Sequence, residues 1–191
     1  MRIIAGKYRS RILKSLKGLA LRPTSDRLRE TLFNVLGPAV AGSRILDVFA
    51  GTGAVGIEAL SRGAAEAIFI ENHTPAAKLI RRNLDSLGIT TGATILQTDA
   101  VTGLQKLAAR QTLATPPINF VFVDPPYAAH EDYARTLEFL ASDSASFLSP
   151  DALVIFEHHH KFSLPECSGR LNRIRLLKQG DAALSFFRST G

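Results

Sequence analysis

Apolar and polar positions alternate along the chain in blocks that predict strands followed by helices. From residue 44 onward, each short apolar run precedes a stretch with apolar residues at helical spacing. Strands that alternate with helices predict a parallel sheet covered on both faces. The predicted strands cover residues 44–49, 66–71, 94–98, 118–123 and 152–157, and the predicted helices cover residues 54–62, 75–87, 101–110 and 131–141.

The N-terminal part departs from this alternation. Residues 2–5 and 11–13 predict a basic hairpin, and residues 25–36 predict a helix with apolar residues on one side. We therefore expect a small hairpin and helix extension over residues 1–43, followed by the main domain over residues 44–191.

The C-terminal part predicts antiparallel pairing. Residues 171–178 and 182–188 are two strand-like runs that a glycine-containing turn separates. Together with the five strands before them, they predict an α/β fold with a seven-stranded, mostly parallel sheet and a C-terminal antiparallel hairpin.

Length and composition narrow the class of protein. The 191 residues are about one domain, and no apolar run approaches the roughly 20 residues of a membrane span. The single Cys167 excludes an internal disulfide and a multi-cysteine zinc site, as is typical of a reducing compartment. We expect a soluble, cytoplasmic protein without a membrane partner.

The net charge of +6 is unevenly distributed. Residues 1–44 hold ten Lys or Arg residues against two acidic ones, whereas the remaining residues have a net charge of −2. Such a cluster is either a solvated surface or a phosphate-binding surface, and a nucleobase site beside it favours the second. The candidate RNA contacts are Lys7, Arg9, Arg11, Arg22, Thr24, Arg27 and Arg29, although structural pairing is an alternative for the last four.

Candidate catalytic and ligand-binding residues lie where the predicted strands end. Asp47 precedes a turn that contains Gly51 and Gly53. These glycines can adopt positive φ, and without a Cβ they let a ligand lie against the backbone. The tetrapeptide Asp124-Pro125-Pro126-Tyr127 directly follows the apolar run 118–123. Two prolines offer no N–H, so carbonyl oxygens, a carboxylate and an aromatic ring face a ligand. This set suits a planar amine.

These residues carry a family resemblance that covers nearly the whole chain. The tetrapeptide resembles the D-P-P-Y motif of S-adenosylmethionine-dependent amino-methyltransferases, and residues 44–53 resemble the first motif of class I methyltransferases. With residues 22–34 and 180–187, the chain is similar to the RsmD family, guanine-N2 methyltransferases of bacterial small-subunit ribosomal RNA. The resemblance implies a class I methyltransferase Rossmann-like fold, S-adenosylmethionine as cofactor, and 16S rRNA, within a small-subunit assembly particle, as partner of a monomeric enzyme.

The resemblance also assigns roles to residues. Asp124 and the Pro125 carbonyl would accept the two protons of the target amine, Pro126 would keep the loop rigid, and Tyr127 would stack on the base, without a metal. The implied cofactor-binding residues are Asp47, Gly51, Gly53, Glu71, Asn72, Asp99 and Ala100, with Glu71 on the ribose and Asp99–Ala100 at the adenine amino group.

Other functions compete with this interpretation. Residues 51–56 also match the dinucleotide-binding fingerprint, but the Asp47 carboxylate is unfavourable beside a pyrophosphate and suits an ammonium and a sulfonium. An adenine-N6 DNA methyltransferase would use the same tetrapeptide, yet the chain has no room for a separate target-reading domain. A non-catalytic RNA-binding module would need the basic end but not Asp47, Glu71, Asp99 and Tyr127 together.

The run His158-His159-His160 invites a metal interpretation. Adjacent residues on a strand point to opposite faces, so three in a row cannot converge on one ion. We expect a solvated strand end and no metal site.

Overall fold

The predicted alternation becomes one mixed sheet with helices on both faces. The computed structural model describes residues 1–15 and 25–189. None of the helices in these two ranges is long and apolar enough to cross a membrane. The strands are β1 (Arg44–Val48), β2 (Glu66–Ile70), β3 (Ala93–Leu96), β4 (Ile118–Val123), β5 (Leu148–His159), β6 (Cys167–Ser168), β7 (Leu171–Gln179) and β8 (Ala182–Ser189). The α-helices are α1 (Asp26–Leu36), α2 (Ala54–Ser61), α3 (Thr74–Ser86), α4 (Ala100–Arg110) and α5 (His130–Ala141), and a 3₁₀ helix covers Gly37–Val40.

The sheet order is β3-β2-β1-β4-β5-β8-β7-β6. The first five strands are parallel and the last three pair antiparallel, which confirms the α/β class and the C-terminal hairpin. The strand count of seven is wrong by one, because Cys167–Ser168 pairs with the start of β7 as an additional strand. Two residues are too few to show the period-2 pattern on which a strand prediction depends.

Alternating side chains of the central strands build two cores, one on each face. In β4, Phe120 and Phe122 lie in the cluster that packs with α1 and α2, whereas Val121 and Val123 lie in the cluster that packs with α4 and α5. The neighbours Phe186 and Phe187 divide between the same two clusters, as the strand period requires.

The chain reverses its direction of winding between β1 and β4. From β1 the sheet grows outward through β2 to β3, whereas β4 lies on the other side of β1 and continues to β5. At such a switch point the connections leave in opposite directions, and a crevice opens beyond the carboxyl ends of the strands. Asp47 pairs with Phe122 and Val48 with Val123, so the turn after β1 and the tetrapeptide after β4 meet at this crevice.

The N-terminal residues dock on α2 through a buried carboxylate. Glu58 is 0% exposed and accepts hydrogen bonds from the backbone N–H groups of Ile4 (2.8 Å) and Ala5 (3.0 Å). The predicted hairpin is reduced to a single bridge between Arg2 and Ile12, because these two amides bond to Glu58 rather than to a partner strand. Ser61 adds contacts to the next turn, where its carbonyl accepts from the Lys7 N–H at 2.7 Å.

Arg29 belongs to this buried network. Its side chain is 0% exposed, lies 3.0 Å from the Asp26 carboxylate and 3.7 Å from Glu58, and donates to the Arg2 carbonyl. The prediction that Arg29 contacts RNA is therefore wrong, because a guanidinium packed inside the protein cannot reach a phosphate. The division into an extension and a main domain stays a prediction.

Gly6 allows the close approach to α2. It has φ of +83°, and a Cβ there would lie 1.8 Å from the Ser61 carbonyl oxygen. Gly6→Ala should therefore displace the N-terminal segment, and hydrogen exchange should show lost protection of the Ile4 and Ala5 amides. Gly42→Ala is the control, since Gly42 has φ of +75° but no atom within 4 Å of a built Cβ. Both carry the left-handed backbone cost of about 1–2 kcal/mol, so equal protection in the two variants would contradict the prediction.

Candidate active site

A cavity of about 780 Å³ opens at the carboxyl ends of β1, β2 and β4. This volume is within the range of small-molecule and cofactor sites. The four predicted catalytic residues and four of the predicted cofactor residues line it together, namely Asp124, Pro125, Pro126, Tyr127, Asp47, Gly51, Glu71 and Asn72.

The turn after β1 bends sharply into the cavity. Phe49, Gly51 and Gly53 have φ of +63°, +55° and +75°. The two glycines adopt these values at little cost, whereas a phenylalanine does not, and such strained residues concentrate at functional sites. Phe49 lines the cavity and was not predicted, since its side chain gives no signal of an unusual backbone.

Glu71 holds this turn against the next strand. One carboxylate oxygen accepts from the Gly51 N–H and the other from the His73 N–H, both at 2.7 Å. These bonds orient the carboxylate while leaving further lone pairs for hydroxyl donors of a ligand.

Asp47 lies deeper, below the turn. It is 2% exposed and accepts one hydrogen bond from the Gly56 N–H at 2.9 Å. Burial, with a smaller contribution from the Glu71 charge, raises the pKa of Asp47 from 3.8 to about 8, against the opposing effect of the Gly56 hydrogen bond. A cationic ligand would favour the ionised form, so this carboxyl group suits a positively charged partner.

Three contacts hold the loop that begins at Asp124. The Asp124 N–H donates to the Val48 carbonyl at 3.3 Å, and the Pro126 carbonyl accepts from the Ala129 N–H at 2.7 Å. The buried Tyr133 hydroxyl lies 3.2 Å from the Pro125 carbonyl oxygen and 3.0 Å from the Glu157 carbonyl oxygen. Tyr133 was missed by the sequence analysis, because its helical spacing is that of an ordinary core residue.

The three consecutive histidines have different surroundings. His158 is buried and bonded to Ser185, whereas the His159 ring meets the Tyr127 ring edge-on at 5.6 Å. β5 ends at His159, so the His160 ring turns back and stacks on His159 at 4.6 Å. Ligand atoms of His159, His160 and Asp181 lie within 4.8 Å of one another, and these residues could hold a metal ion. The expectation that adjacent residues face opposite ways is therefore wrong for His159 and His160, and the expectation of a solvated strand end is wrong for the buried His158.

Three predicted cofactor residues do not line the cavity. Gly53 is the N-cap of α2, and Ala100 is buried in the core under β1 and β2. The Asp99 carboxylate caps α4 by accepting from the Thr102 N–H at 3.0 Å, a bond that lowers the pKa of Asp99. Conversely, Asp132 lines the cavity from the start of α5, where the sequence offers no signal.

The candidate RNA contacts other than Arg29 fall into two groups. Lys7, Arg9, Arg11 and Arg27 are exposed, and the Arg11 guanidinium also reaches the Ser86 carbonyl at 3.5 Å. Arg22 and Thr24 lie outside the described residues.

Known proteins are similar to this chain in sequence and in fold. The family model described as conserved hypothetical protein 95 matches residues 1–188. Bacillus subtilis YlbH, named provisionally as an rRNA methyltransferase, is 36% identical over 191 residues, 100% of each chain. Ribosomal RNA small subunit methyltransferase D of Escherichia coli strain K12 is 38% identical over 165 residues, 86% of this chain and 78% of that protein. The solved structure of Escherichia coli yhhF, named provisionally as a methyltransferase, has a TM-score of 0.81 at 35% identity and covers 99% of this chain and 97% of its own.

The raised pKa of Asp47 predicts a pH-dependent stability. The unfolded carboxyl group ionises near pH 3.8 and the folded one near pH 8, so unfolding releases a proton between these values. The free energy of unfolding should therefore fall as the pH rises through this window, by about 1.4 kcal/mol per pH unit at most. Asp47→Asn should remove this loss and be the more stable protein near pH 8. Urea unfolding of both proteins across the window measures the difference, and parallel pH profiles would contradict the prediction.

Proposed function

We propose that this chain methylates the exocyclic N2 amine of a guanine in 16S rRNA. The chain belongs to the conserved hypothetical protein 95 family, which is the RsmD family of methyltransferases. The protein is a methyltransferase, and its cofactor is S-adenosylmethionine. The choice of an exocyclic amine rests above all on the Asp124–Tyr127 loop, whose four residues line one cavity. The choice of guanine N2 among such amines rests on the family.

The acidic residues at the strand ends support the cofactor position. Glu71 keeps lone pairs for ribose hydroxyls after bonding to the turn, and Asp47 offers a carboxyl group whose ionisation a cationic methionine moiety would favour. Gly51 leaves the backbone open to the ligand. We assign the adenine amino group to Asp99, which would then share its carboxylate between this group and the α4 cap.

The acceptors of the loop fit the chemistry of a weak nucleophile. The lone pair of an exocyclic guanine amine is delocalised into the ring, and acceptors on its two N–H groups localise the pair as positive charge develops. The Asp124 carboxylate and the Pro125 carbonyl would be these acceptors, and Tyr127 would stack on the base. Because the loop is held before substrate binds, it would present the nitrogen in a fixed orientation to the methyl group that the cofactor supplies.

The exposed cations of the N-terminal segment support rRNA as the partner. Lys7, Arg9 and Arg11 are exposed on a segment that the buried Glu58 fixes to α2. We propose that they bind phosphates, that the enzyme acts as a monomer on a small-subunit assembly particle, and that it does so in the cytoplasm.

Substitutions of Asp124 and Tyr127 should separate the methyl-transfer step from binding of the RNA and its base. Asp124→Ala should abolish methyl transfer while rRNA still binds, because the amine loses its charged acceptor. Tyr127→Ala should lose about 1–3 kcal/mol of stacking, and Tyr127→Phe should restore most of it, because the ring carries the contact. Single-turnover transfer of labelled methyl to 16S rRNA and the mapped position of the product measure both effects.

Glu131→Gln, an exposed change on α5, is the control for the loss of one carboxylate. Near-normal single-turnover rates in Asp124→Ala would contradict the assigned chemistry. A product methylated on adenine would refute guanine N2 while leaving the methyltransferase activity intact.

Neutralising the N-terminal segment should weaken RNA binding in a salt-dependent way. Each phosphate contact contributes about −0.7 to −0.9 to the slope of log affinity against log salt. Lys7→Ala/Arg9→Ala/Arg11→Ala should flatten that slope by roughly 2–3 units and leave cofactor affinity unchanged. The matched control is Lys106→Ala/Arg110→Ala/Arg135→Ala, which removes three exposed cations from α4 and α5. Superimposable slopes for wild type and the N-terminal variant would show that this segment is only a solvated surface.

A further inference from the structure

The C-terminal hairpin carries a second set of cations. The net charge of the residues after 44 does not reveal them, because acidic residues elsewhere outweigh them. β7 contains Arg173, Arg175 and Lys178 and no acidic residue. Arg173 is engaged by the Leu164 carbonyl at 3.0 Å and by the Glu166 carboxylate at 3.3 Å. Arg175 and Lys178 are exposed. We call these two residues the β7 cations.

The strand that carries them has an open edge. β6 pairs only with Leu171 and Asn172, and the Arg173 N–H donates to the Glu166 carbonyl. In the described part of the chain, no strand pairs with the outer side of β7 beyond that point. Ile174 and Leu176 are 54% and 40% exposed on the same stretch, so a partner would also cover apolar surface.

The sheet register locates this edge relative to the candidate active site. Val123 pairs with Phe156, Phe156 with Ser185, and Ser185 with Leu176, so these four residues form one row across the sheet. Asp124 is one residue beyond this row toward the carboxyl edge, and Lys178 is two residues beyond it. Since β4 and β7 are three strand spacings apart, Lys178 lies roughly 14 Å from Asp124. A nucleic acid strand whose base enters the cavity would pass within reach of a lysine at that distance.

We propose that Arg175 and Lys178 bind backbone phosphates of the substrate RNA beside the target nucleotide, an inference that rests on the proposed function. Two exposed cations on an edge strand complement a polyanion, and phosphate contacts supply most of the affinity of such complexes. The N-terminal segment and β7 then hold the RNA on opposite sides of the cavity, because α2 packs beneath β1 and β2 whereas β7 lies beyond β5.

A second copy of the chain is a poorer occupant of this edge. Antiparallel pairing of two β7 edges would bring the cations of one strand opposite those of the other, and like charges across a strand pair are destabilising. Lysine and arginine on an edge strand also discourage such pairing. The nearby acidic groups are Glu166, which pairs with Arg173, and Asp181 in the turn before β8.

The salt dependence of RNA binding tests the proposal. Arg175→Ala/Lys178→Ala should weaken binding of a 16S rRNA fragment and flatten the slope of log affinity against log salt by about 1.5 units, with S-adenosylmethionine affinity unchanged. Lys106→Ala/Arg110→Ala, which removes one lysine and one arginine from the exposed face of α4, should leave the slope as in wild type. Equal slopes for wild type and the β7 variant would overturn the proposal.

Two further observations separate the possible failures. If the β7 variant self-associates in size-exclusion chromatography while its RNA affinity is unchanged, the cations only protect the edge and the proposal is overturned. If the wild-type protein transfers no methyl group to 16S rRNA, either naked or within a small-subunit assembly particle, the proposed function fails instead. Cross-linking gives an independent position: with the exposed Cys167 changed to Ser, a benzophenone on Lys178→Cys should label RNA within a few nucleotides of the methylated base. Labelling only at distant positions would also overturn the proposal.

Discussion

The buried carboxylate of Glu58 is the constraint on which the arrangement of the N-terminal half depends. A carboxylate without solvent costs several kcal/mol unless hydrogen bonds and opposite charges replace the lost water. Glu58 obtains them from the Ile4 and Ala5 amides, from the Arg62 guanidinium at 2.7 Å and from Arg29 at 3.7 Å. The N-terminal segment therefore replaces part of the water that this carboxylate loses on burial. A protein that kept Glu58 but lost the segment would leave the carboxylate either exposed to solvent or buried without these hydrogen bonds.

The same short helix connects this network to the candidate active site. α2 begins at the glycine turn that lines the cavity, and the N–H of Gly56 in its first turn donates to Asp47. Two residues later Glu58 holds the N-terminal segment, and Ser61 at the end of the helix bonds to the same segment. Eight residues thus fix the cofactor turn on one side and the exposed cations on the other. The distance between the proposed RNA contacts and the cavity is set by a rigid element rather than by a linker.

The sequence predicted what depends on local periodicity and missed what depends on distant partners. Strands, helices and the Asp124–Tyr127 loop follow from apolar runs interrupted by glycine and proline. The elements predicted from residue 25 onward were confirmed within two residues, except that β5 starts four residues earlier than predicted. The burial of Arg29 was missed because Glu58, its partner 29 positions away, gives no local signal. In the sequence, Asp99 follows a predicted strand much as Asp47 lies near the end of one. In the structure, however, Asp99 comes three residues after β3, caps α4 and does not line the cavity.

The Tyr133 hydroxyl can leave the Pro125 carbonyl oxygen free to accept from a substrate, because it has a second acceptor. Burial, reinforced by the Asp124 charge, raises the pKa of Tyr133, so the hydroxyl keeps its proton at every physiological pH. That single proton has two carbonyl acceptors, Pro125 at 3.2 Å and Glu157 at 3.0 Å. When an amine donates to Pro125, as the proposed function requires, the hydroxyl can direct its proton to Glu157 and remain satisfied. The loop can therefore offer a full lone pair to substrate without leaving a buried donor unpaired, which would cost about 1–3 kcal/mol.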